Sequence, residues 1–152
     1  MKKIAVFVDV QNIYYTVKDT FGCNFNYRKL WDKLSADGEI VVANAYAIDR
    51  NDPQQRGFQK ALDAIGFKLK LKPFIQRSDG SAKGDWDVGI AIDVMDSVTA
   101  MEGPIDTVVL LSGDGDFDRL LTRVSQSNKV ETVIYGVEAL TAKSLIDAAD
   151  IF

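Results

Sequence analysis

Histidine is absent from the 152-residue sequence, and cysteine occurs once, at Cys23. Without histidine, the chain cannot contain a Ser-His-Asp triad, a Cys-His dyad or histidine-ligated zinc. A single cysteine excludes an intramolecular disulfide and a cysteine-rich zinc site. Any hydrolytic chemistry must therefore depend on carboxylates with a metal ion, or on lysine, tyrosine or serine.

Long apolar segments are missing as well. The first apolar run, residues 4–8, directly follows Met1-Lys2-Lys3 and is too short for a signal peptide or a membrane-spanning helix. The composition is ordinary for a globular protein, and the length suits one domain with its own core. We therefore expect a single domain over residues 1–152 that is cytoplasmic and does not associate with a membrane.

Charge is unevenly distributed along the chain, although the net charge is only −4. Residues 84–118 contain nine acidic side chains and no lysine or arginine, whereas residues 50–83 contain eight basic and three acidic side chains. A basic segment beside an acidic, metal-binding centre would suit a phosphodiester substrate. The alternative is that both segments are ordinary solvated faces.

Short apolar runs alternate with helical patterns along the chain. The runs are residues 3–8, 40–48, 67–73, 107–111 and 130–135, and the helical patterns are residues 27–34, 53–65, 85–101, 117–124 and 141–148. Strict alternation in residues 67–73 predicts a strand near the edge of the sheet. Strands that alternate with helices form parallel sheets with right-handed crossovers. The sequence thus predicts an α/β domain with a five-stranded, mainly parallel sheet.

Single residues mark where these helices begin and end. Asn26, Asp52 and Thr141 are predicted to cap the starts of helices, and Gly66 is predicted to end one. The helix over residues 85–101 has an apolar set at helical spacing, which predicts its buried face. That set is Val88, Ala91, Ile92, Met95 and Val98.

Acidic residues follow two of the apolar runs. Asp9 ends the first, and Asp114 and Asp116 lie in Ser112-Gly-Asp-Gly-Asp116, just past the run at residues 107–111. Ligands of open α/β sheets bind at the carboxyl ends of the strands. Clustered carboxylates repel one another unless they share a cation, so the sequence predicts a hard divalent metal, Mg²⁺ or Mn²⁺.

The helix over residues 85–101 offers two more acids. Asp87 lies in its first turn, at the margin of the predicted buried face, where it can point towards the same edge of the sheet. Asp93 lies about 240° further round the helix and is predicted to be solvated or a supporting residue. Asp118 is predicted to be an exposed acid of a first turn. The predicted metal-binding and catalytic set is Asp9, Asp87, Asp114 and Asp116.

Such a set would suit metal-dependent phosphodiester hydrolysis. The metal would polarise a phosphoryl oxygen and lower the pKa of its bound water. Asn12 would then bind a water or a phosphate oxygen, and Lys83 would neutralise a backbone phosphate. No P-loop pattern occurs, and no G-x-G-x-x-G follows the first strand, so nucleotide-binding folds have little support.

Each of these residues also has a purely structural interpretation. Asp9 would cap the helix that follows it, Asp87 would interact with a helix dipole, and the segment from Asp114 to Asp116 would be a polar turn. Lys83 would be a solvated loop lysine. The larger aromatic side chains are expected in the core rather than as platforms for base stacking; these are Tyr14, Tyr15, Trp31 and Trp86.

Three motifs together resemble the NYN family of PIN-like nucleases. They are Phe7-Val-Asp-Val-Gln-Asn12, Lys83-Gly-Asp-Trp-Asp-Val88 and Leu111-Ser-Gly-Asp-Gly-Asp-Phe117, and their order and spacing fit across nearly the whole chain. The resemblance implies a three-layer, PIN-like Rossmannoid fold with five parallel strands. It also implies a ribonuclease site that depends on Mg²⁺ or Mn²⁺, with RNA as the substrate.

The motifs assign individual positions. Asp9 and Asn12 match the first motif, Asp87 matches the second, and Asp114 and Asp116 match the third. The chain departs from the family at residues 85–86, where many members have a single residue, and this affects the position of Lys83 more than that of Asp87. Many bacterial members have no known substrate, so membership does not imply turnover.

The leading hypothesis is therefore a metal-dependent endoribonuclease that acts on single-stranded or structured RNA. A second is a non-catalytic RNA- or protein-binding regulatory module that retains the metal site, and a third is a small-molecule phosphohydrolase. The lysines of residues 68–72 would line an RNA groove or protect an edge strand, and the sequence does not separate these roles. It does not indicate a homo-oligomer either.

Overall fold

The computed structural model describes residues 2–49, 52–73, 75–76, 82–83, 86–99, 104–127 and 129–152, and for residues 73, 75, 76, 82, 83 and 127 it describes the backbone alone. The strands in this part are β1 (Lys2–Asp9), β2 (Gly38–Asp49), β3 (Lys68–Pro73), β4 (Ile75–Gln76), β5 (Ala82–Lys83), β6 (Thr107–Leu111) and β7 (Glu131–Tyr135). The helices are α1 (Val10–Phe21), α2 (Tyr27–Asp37), α3 (Pro53–Ile65), α4 (Asp87–Thr99), α5 (Asp118–Ser127) and α6 (Lys143–Ala148). Short 3₁₀ turns occupy Gly115–Phe117 and Glu138–Leu140.

Five strands form one parallel sheet in the order β3-β2-β1-β6-β7. The predicted α/β fold with a five-stranded sheet is confirmed, and β3 lies at an edge as expected. β1 is central and pairs with β2 on one side and β6 on the other. All five strands run in the same direction, so their carboxyl ends meet at one edge.

Both faces of the sheet are covered by helices, which gives three layers. Ile4, Val6 and Val8 of β1 point into a core with α1, α2 and α3, while Ala5 and Phe7 point into a second core with α4, α5 and α6. Successive residues of a strand point to opposite faces. A strand that is buried on both faces therefore needs an unbroken apolar run, and residues 4–8 are such a run.

The predicted helix boundaries hold in three places and fail in one. Asn26 accepts a hydrogen bond from the Lys29 amide (3.0 Å), Asp52 accepts one from the Gln54 amide (2.9 Å), and Gly66 ends α3 at φ +133°. Thr141 does not cap a helix, because its hydroxyl donates to the Val137 carbonyl (2.7 Å) at the end of the second 3₁₀ turn. Helix α6 begins two residues later and has no side-chain cap.

The predicted buried face of α4 is partly wrong: Met95 and Val98 pack against the second core as expected, but Val88 and Ile92 do not. Ile90 and Val94 are fully buried, whereas Val88 is 73% and Ile92 55% exposed. Apolar residues occur on two sides of this helix, and the predicted set included the outward-facing Val88 and Ile92 but omitted Ile90 and Val94. The buried side places Asp93 next to the sheet, where it contacts β2 and β3.

A short antiparallel pairing follows β3. Ile75 and Gln76 of β4 pair with Lys83 and Ala82 of β5. Residues 77–81 and 84 lie outside the described residues. Within the part of the chain that the structure covers, no helix has both the length and the apolar character needed to cross a membrane.

Candidate metal centre

The site lies at the carboxyl edge of the two central strands. Val8 of β1 pairs with Leu111 of β6, so the next residues, Asp9 and Ser112, lie side by side. The Ser112 hydroxyl donates to Asp9 Oδ2 at 3.3 Å. Asp9 Oδ1 also accepts from the Asn12 amide at 3.4 Å, which makes Asp9 the N-cap of α1.

The loop after β6 is held by this first turn of α1. Asn12 Oδ1 accepts a hydrogen bond from the buried Gly113 amide at 2.9 Å, and Ser112 Oγ accepts one from the Asp114 amide at 3.2 Å. The Gly113 carbonyl accepts from the Ala142 amide at 3.0 Å. These contacts fix the backbone that carries Asp114.

Three carboxylates converge just beyond this loop. Asp87, Asp114 and Asp116 each contribute one oxygen, and these oxygens lie within 4.8 Å of one another. Asp114 and Asp116 flank the start of the first 3₁₀ turn, where Asp114 Oδ1 accepts from the Asp116 amide at 2.9 Å. Asp87 is the first residue of α4. Asp87 and Asp114 are half-buried, and Asp116 is exposed.

The spacing of these oxygens suits one divalent ion. Mg²⁺ and Ca²⁺ bind oxygen at about 2.0–2.6 Å, so two oxygens on the same ion lie no more than about 5 Å apart. The donor set consists of carboxylates alone, which hard cations prefer. Asp87, Asp114 and Asp116 therefore form a candidate metal site.

The other predicted site residues occupy different places. Asp9 lies at the same edge but outside the group of three, and its contacts include Ser112 and the start of α1. Asn12 contacts the loop through Gly113. Lys83 pairs with Ile75 through the backbone, and its side chain lies outside the described residues.

Trp86 positions Asp87, and sequence reasoning missed this role. Its indole N–H donates to the Ala47 carbonyl of β2 at 2.9 Å, and its ring lies 5.3 Å from that of Tyr46. The start of α4 is thereby attached to the end of β2, 39 residues earlier in the chain. A Cβ at Gly89 would approach the indole ring to 2.6 Å, so glycine gives the ring its room.

Asp93 forms a polar cluster with β2 and β3. Asp93 Oδ2 accepts from the Tyr46 hydroxyl at 2.8 Å and pairs with the Lys70 ammonium at 2.6 Å, so it is not a solvated residue. Burial acts to raise the pKa of Asp93, but hydrogen bonds from Lys70 and Tyr46 and the charges of Lys70 and Lys68 together bring it below its usual value. Burial and the bond to Asp93 raise the pKa of Tyr46, which therefore stays a neutral donor.

The lysines of β3 contact protein side chains on this face. Lys70 pairs with Asp93, and the Lys72 ammonium lies 4.4 Å from the centre of the Trp86 ring. Ion pairing and cation–π contact both give these lysines structural partners. The pairing of Lys70 with Asp93 is a role that the sequence did not indicate, and the choice between an RNA groove and edge protection stays a prediction.

The aromatic side chains divide into two groups. Tyr14 and Tyr15 are 44% and 48% exposed, so the expectation that they belong to the core is wrong. Trp31 and Trp86 are partly buried and pack against the two cores, as expected. Both tyrosines are on the solvent-exposed side of α1.

Comparison with known proteins agrees with the three motifs. The NYN domain family model matches residues 3–152. The chain is 30% identical to the low amplitude and bright protein LabA of Synechococcus elongatus, over 97% of this chain and 81% of that one. It is 48% identical to VPA0982 of Vibrio parahaemolyticus, a protein of unknown function whose crystal structure superposes with a TM-score of 0.90 over 99% of this chain and 91% of that one. The chain belongs to the NYN domain family.

Proposed function

We propose that this protein is a metal-dependent ribonuclease that hydrolyses RNA phosphodiester bonds with Mg²⁺ or Mn²⁺. The observation that carries the proposal is the convergence of Asp87, Asp114 and Asp116 from two distant segments at the carboxyl edge of the sheet. Membership of the NYN family supports it, because the family resembles PIN-like nucleases. The proposed catalytic set also includes Asp9, which lies at the same edge.

Each residue of the site has a definite task in this proposal. The carboxylates of Asp87, Asp114 and Asp116 would hold the divalent ion, and a bound ion supplies polarisation of a phosphoryl oxygen and activation of water. The Asp116 amide orients the Asp114 carboxylate by its 2.9 Å hydrogen bond. Asn12 holds the Gly113 amide and so keeps the acidic loop beside α4.

Cleavage of a labelled, mixed-sequence RNA tests the proposal. Wild type is compared with Asp114→Asn and with Asp63→Asn, which removes an equal charge from the exposed face of α3. We expect cleavage with Mn²⁺ or Mg²⁺ and none with EDTA. Asp114→Asn should lose activity while it keeps the wild-type circular dichroism spectrum, and Asp63→Asn should keep both.

Metal binding is measured separately by titration calorimetry with Mn²⁺. A wild-type protein that binds Mn²⁺ but leaves RNA intact would contradict the ribonuclease proposal. Cleavage that survives in Asp114→Asn would show that the acidic group is not responsible, and a contaminating nuclease would then be the explanation.

A second candidate is a binding module that keeps the metal site for stability. Asp9, Asn12 and Asp114 all accept hydrogen bonds from backbone amides, so these residues support the fold whether or not the protein turns over a substrate. This candidate predicts RNA or protein binding without cleavage. It also predicts that Asp114→Asn mainly lowers the melting temperature. The cytoplasmic location remains a prediction.

A further inference from the structure

A cleft of about 440 Å³ opens at the carboxyl edge of the sheet, where Ala47 and Ile48 near the end of β2 line it. It lies between α1, α3 and the end of β2, and its wall begins at Val10 and Gln11, directly after Asp9. Its size is within the range of about 300–1,000 Å³ that small-molecule pockets occupy. The cleft is thus large enough for a nucleobase with its sugar.

One face of α1 forms the exposed wall of this cleft. Gln11, Tyr14, Tyr15 and Lys18 all line it, and at 100° per residue they lie within about 100° of one another around the helix. The opposite face, with Ile13 and Val17, is buried in the core. Tyr14 and Tyr15, at adjacent positions of this wall, are 44% and 48% exposed, so solvent and a ligand can reach both rings.

The α1 wall combines aromatic rings with a cation. The rings of Tyr14 and Tyr15 meet edge to face, with 5.3 Å between centroids. Lys18 donates to the Tyr14 hydroxyl at 3.1 Å. Aromatic rings beside a positive charge are the surface on which unpaired bases stack in single-stranded nucleic acids.

The remaining walls of the cleft combine aromatic rings with side-chain amides. The Tyr27 ring contacts those of Phe25 and Phe58, with centroids 4.9 and 5.7 Å away, and these rings line the cleft. The exposed amides of Gln11 and Gln54 lie among the lining residues and offer both donors and acceptors, as the edges of bases require.

The charge of the cleft favours a base over a phosphate. Among its lining residues, all within the described part of the chain, Lys18 is the cation and Asp52 the carboxylate, so the two charges balance. Phosphate binding would require a surplus of positive charge. A neutral, aromatic cleft at the same edge of the sheet as a candidate phosphodiester site instead suits the base of a nucleotide whose phosphate lies at the acidic cluster.

Hydrogen bonds join the cleft wall to the acidic loop. Asn12, next to Gln11 in the first turn of α1, accepts from the Gly113 amide, and Gly113 precedes Asp114. Asp9 connects to the same loop through Ser112. A base in the cleft and a phosphate at the carboxylates would therefore contact two parts of one continuous structure.

The geometry points to a cleft that binds an unpaired nucleobase of single-stranded RNA beside the phosphodiester to be cleaved. This inference rests on the proposed ribonuclease function and narrows its substrate class, because a base stacked within a duplex cannot enter a concave cleft. It assigns stacking to Tyr14 and Tyr15 and base-edge contacts to Gln11 and Gln54.

RNA binding in EDTA tests the cleft without cleavage. Fluorescence anisotropy measures the affinity for a short labelled RNA of mixed sequence, either single-stranded or annealed to its complement. The variants are Tyr14→Ala, Tyr14→Phe and Phe21→Ala, and the last removes an aromatic ring that is 66% exposed on the same helix but outside the cleft. Tyr14 is itself half-exposed, so its replacement should leave the fold intact.

We expect wild type to prefer the single strand. Tyr14→Ala should weaken that binding about tenfold, which lies within the range of about 5- to 150-fold that loss of one stacked base contact causes. Tyr14→Phe keeps the ring and should stay close to wild type, as should Phe21→Ala. Equal affinity for duplex and single strand, no measurable binding by wild type, or an unchanged affinity in Tyr14→Ala would overturn the inference.

A second measurement does not depend on variants. RNA that contains 4-thiouridine is crosslinked to the wild-type protein by light, and the tryptic peptide of residues 4–18 should carry the crosslink. Crosslinks confined to other peptides would overturn the inference that the cleft binds a base.

The two proposals can fail independently. If RNA binding depends on Tyr14 but Mn²⁺ gives no cleavage, the nuclease proposal fails and the base-binding cleft stands. If Asp114-dependent cleavage occurs with no effect of Tyr14→Ala, the cleft fails and the nuclease stands.

Discussion

Replacing Gly113 with alanine should disturb both the fold and the candidate metal centre. A Cβ at this position would lie 2.8 Å from the Leu140 carbonyl oxygen and 3.1 Å from Thr141 Cα, and both are backbone atoms that cannot rotate away. The Gly113 backbone is also held on both sides, by Asn12 and by the Ala142 amide. The added methyl group must therefore displace the loop that carries Asp114.

The size of the effect follows from two opposing terms. Overpacking by one methyl group costs about 1–3 kcal/mol, and the loss of glycine's freedom in the unfolded chain returns about 0.4–1 kcal/mol. The backbone of Gly113 is outside the left-handed region, so no conformational strain is added. We expect a net loss of about 1–2 kcal/mol, which for a chain of this length lowers the melting temperature by about 2–8 °C.

Gly57→Ala is the matched control. This glycine lies inside α3, and a Cβ there would have no neighbour within 4 Å. Alanine should stabilise the helix by about 0.5–1 kcal/mol. Thermal unfolding followed by circular dichroism should therefore shift in opposite directions for the two variants, and calorimetry should show weaker Mn²⁺ binding in Gly113→Ala alone. A melting temperature for Gly113→Ala at or above that of wild type, or unchanged Mn²⁺ binding, would refute the reasoning.

Three further substitutions test contacts around the site. In Asp93→Asn, the lost ion pair with Lys70 should lower the free energy of unfolding by about 1–2 kcal/mol at pH 7. Burial raises the pKa of Asp93 but its hydrogen bonds lower it more, so the pKa in the folded state lies below that in the unfolded state. The carboxylate therefore stabilises the fold above about pH 4 and loses this effect at lower pH. Urea denaturation should accordingly show a difference in the free energy of unfolding between wild type and variant above about pH 4 and none at lower pH. Asn12→Ala leaves the buried Gly113 amide without its acceptor, so the free energy of unfolding should fall by about 1–3 kcal/mol and Mn²⁺ binding should weaken. An unchanged melting temperature would contradict the bracing role. Trp86→Phe keeps a ring but loses the indole N–H, so calorimetry should show weaker Mn²⁺ binding with little change in the circular dichroism spectrum.

Much of the fold could be predicted because its signals are local. An unbroken apolar run predicts a strand buried on both faces, and β1 and β6 have this environment. Asn26 and Asp52 satisfy amides only two or three residues away, so the caps are visible in the sequence. Thr141 satisfies a nearby carbonyl instead, and a propensity for capping does not show which of two local bonds a hydroxyl will make.

The face of α4 could not be predicted because the helix has two apolar sides. Val88 and Ile92 form one, and Ile90 and Val94 form the other. Only the long-range partners decide between them: Tyr46 and Lys70 require Asp93 to face the sheet. Once Asp93 faces inward, Ile90 and Val94 are buried with it and the other side remains exposed.

For the candidate site, the sequence could predict where several residues lie but not what each of them contacts. The carboxyl ends of parallel strands share one edge, so Asp9, Asp114 and Asp116 were expected to lie near one another. A carboxylate at a strand end, however, can satisfy the amides of the next helix as readily as a cation. Asp9 does the former, and the structure places Asp87 rather than Asp9 in the compact group with Asp114 and Asp116.

This division gives Asp9 and Asn12 a function that a motif alone does not reveal. Both residues connect the start of α1 to the loop after β6, Asp9 through Ser112 and Asn12 through Gly113. The first and third motifs are therefore physically joined, and a change in either one must alter the position of the Asp114 carboxylate. The two oxygens of Asp9 already accept hydrogen bonds from Ser112 and from the start of α1. If Asp9 also binds the metal directly, it does so in addition to this bracing role. The variant Asp9→Asn separates the two roles, because it removes the charge and keeps one of the two acceptor oxygens, with an amide NH2 donor in place of the other. Loss of Mn²⁺ binding with an unchanged melting temperature indicates a ligand, whereas loss of Mn²⁺ binding together with a lower melting temperature indicates a brace.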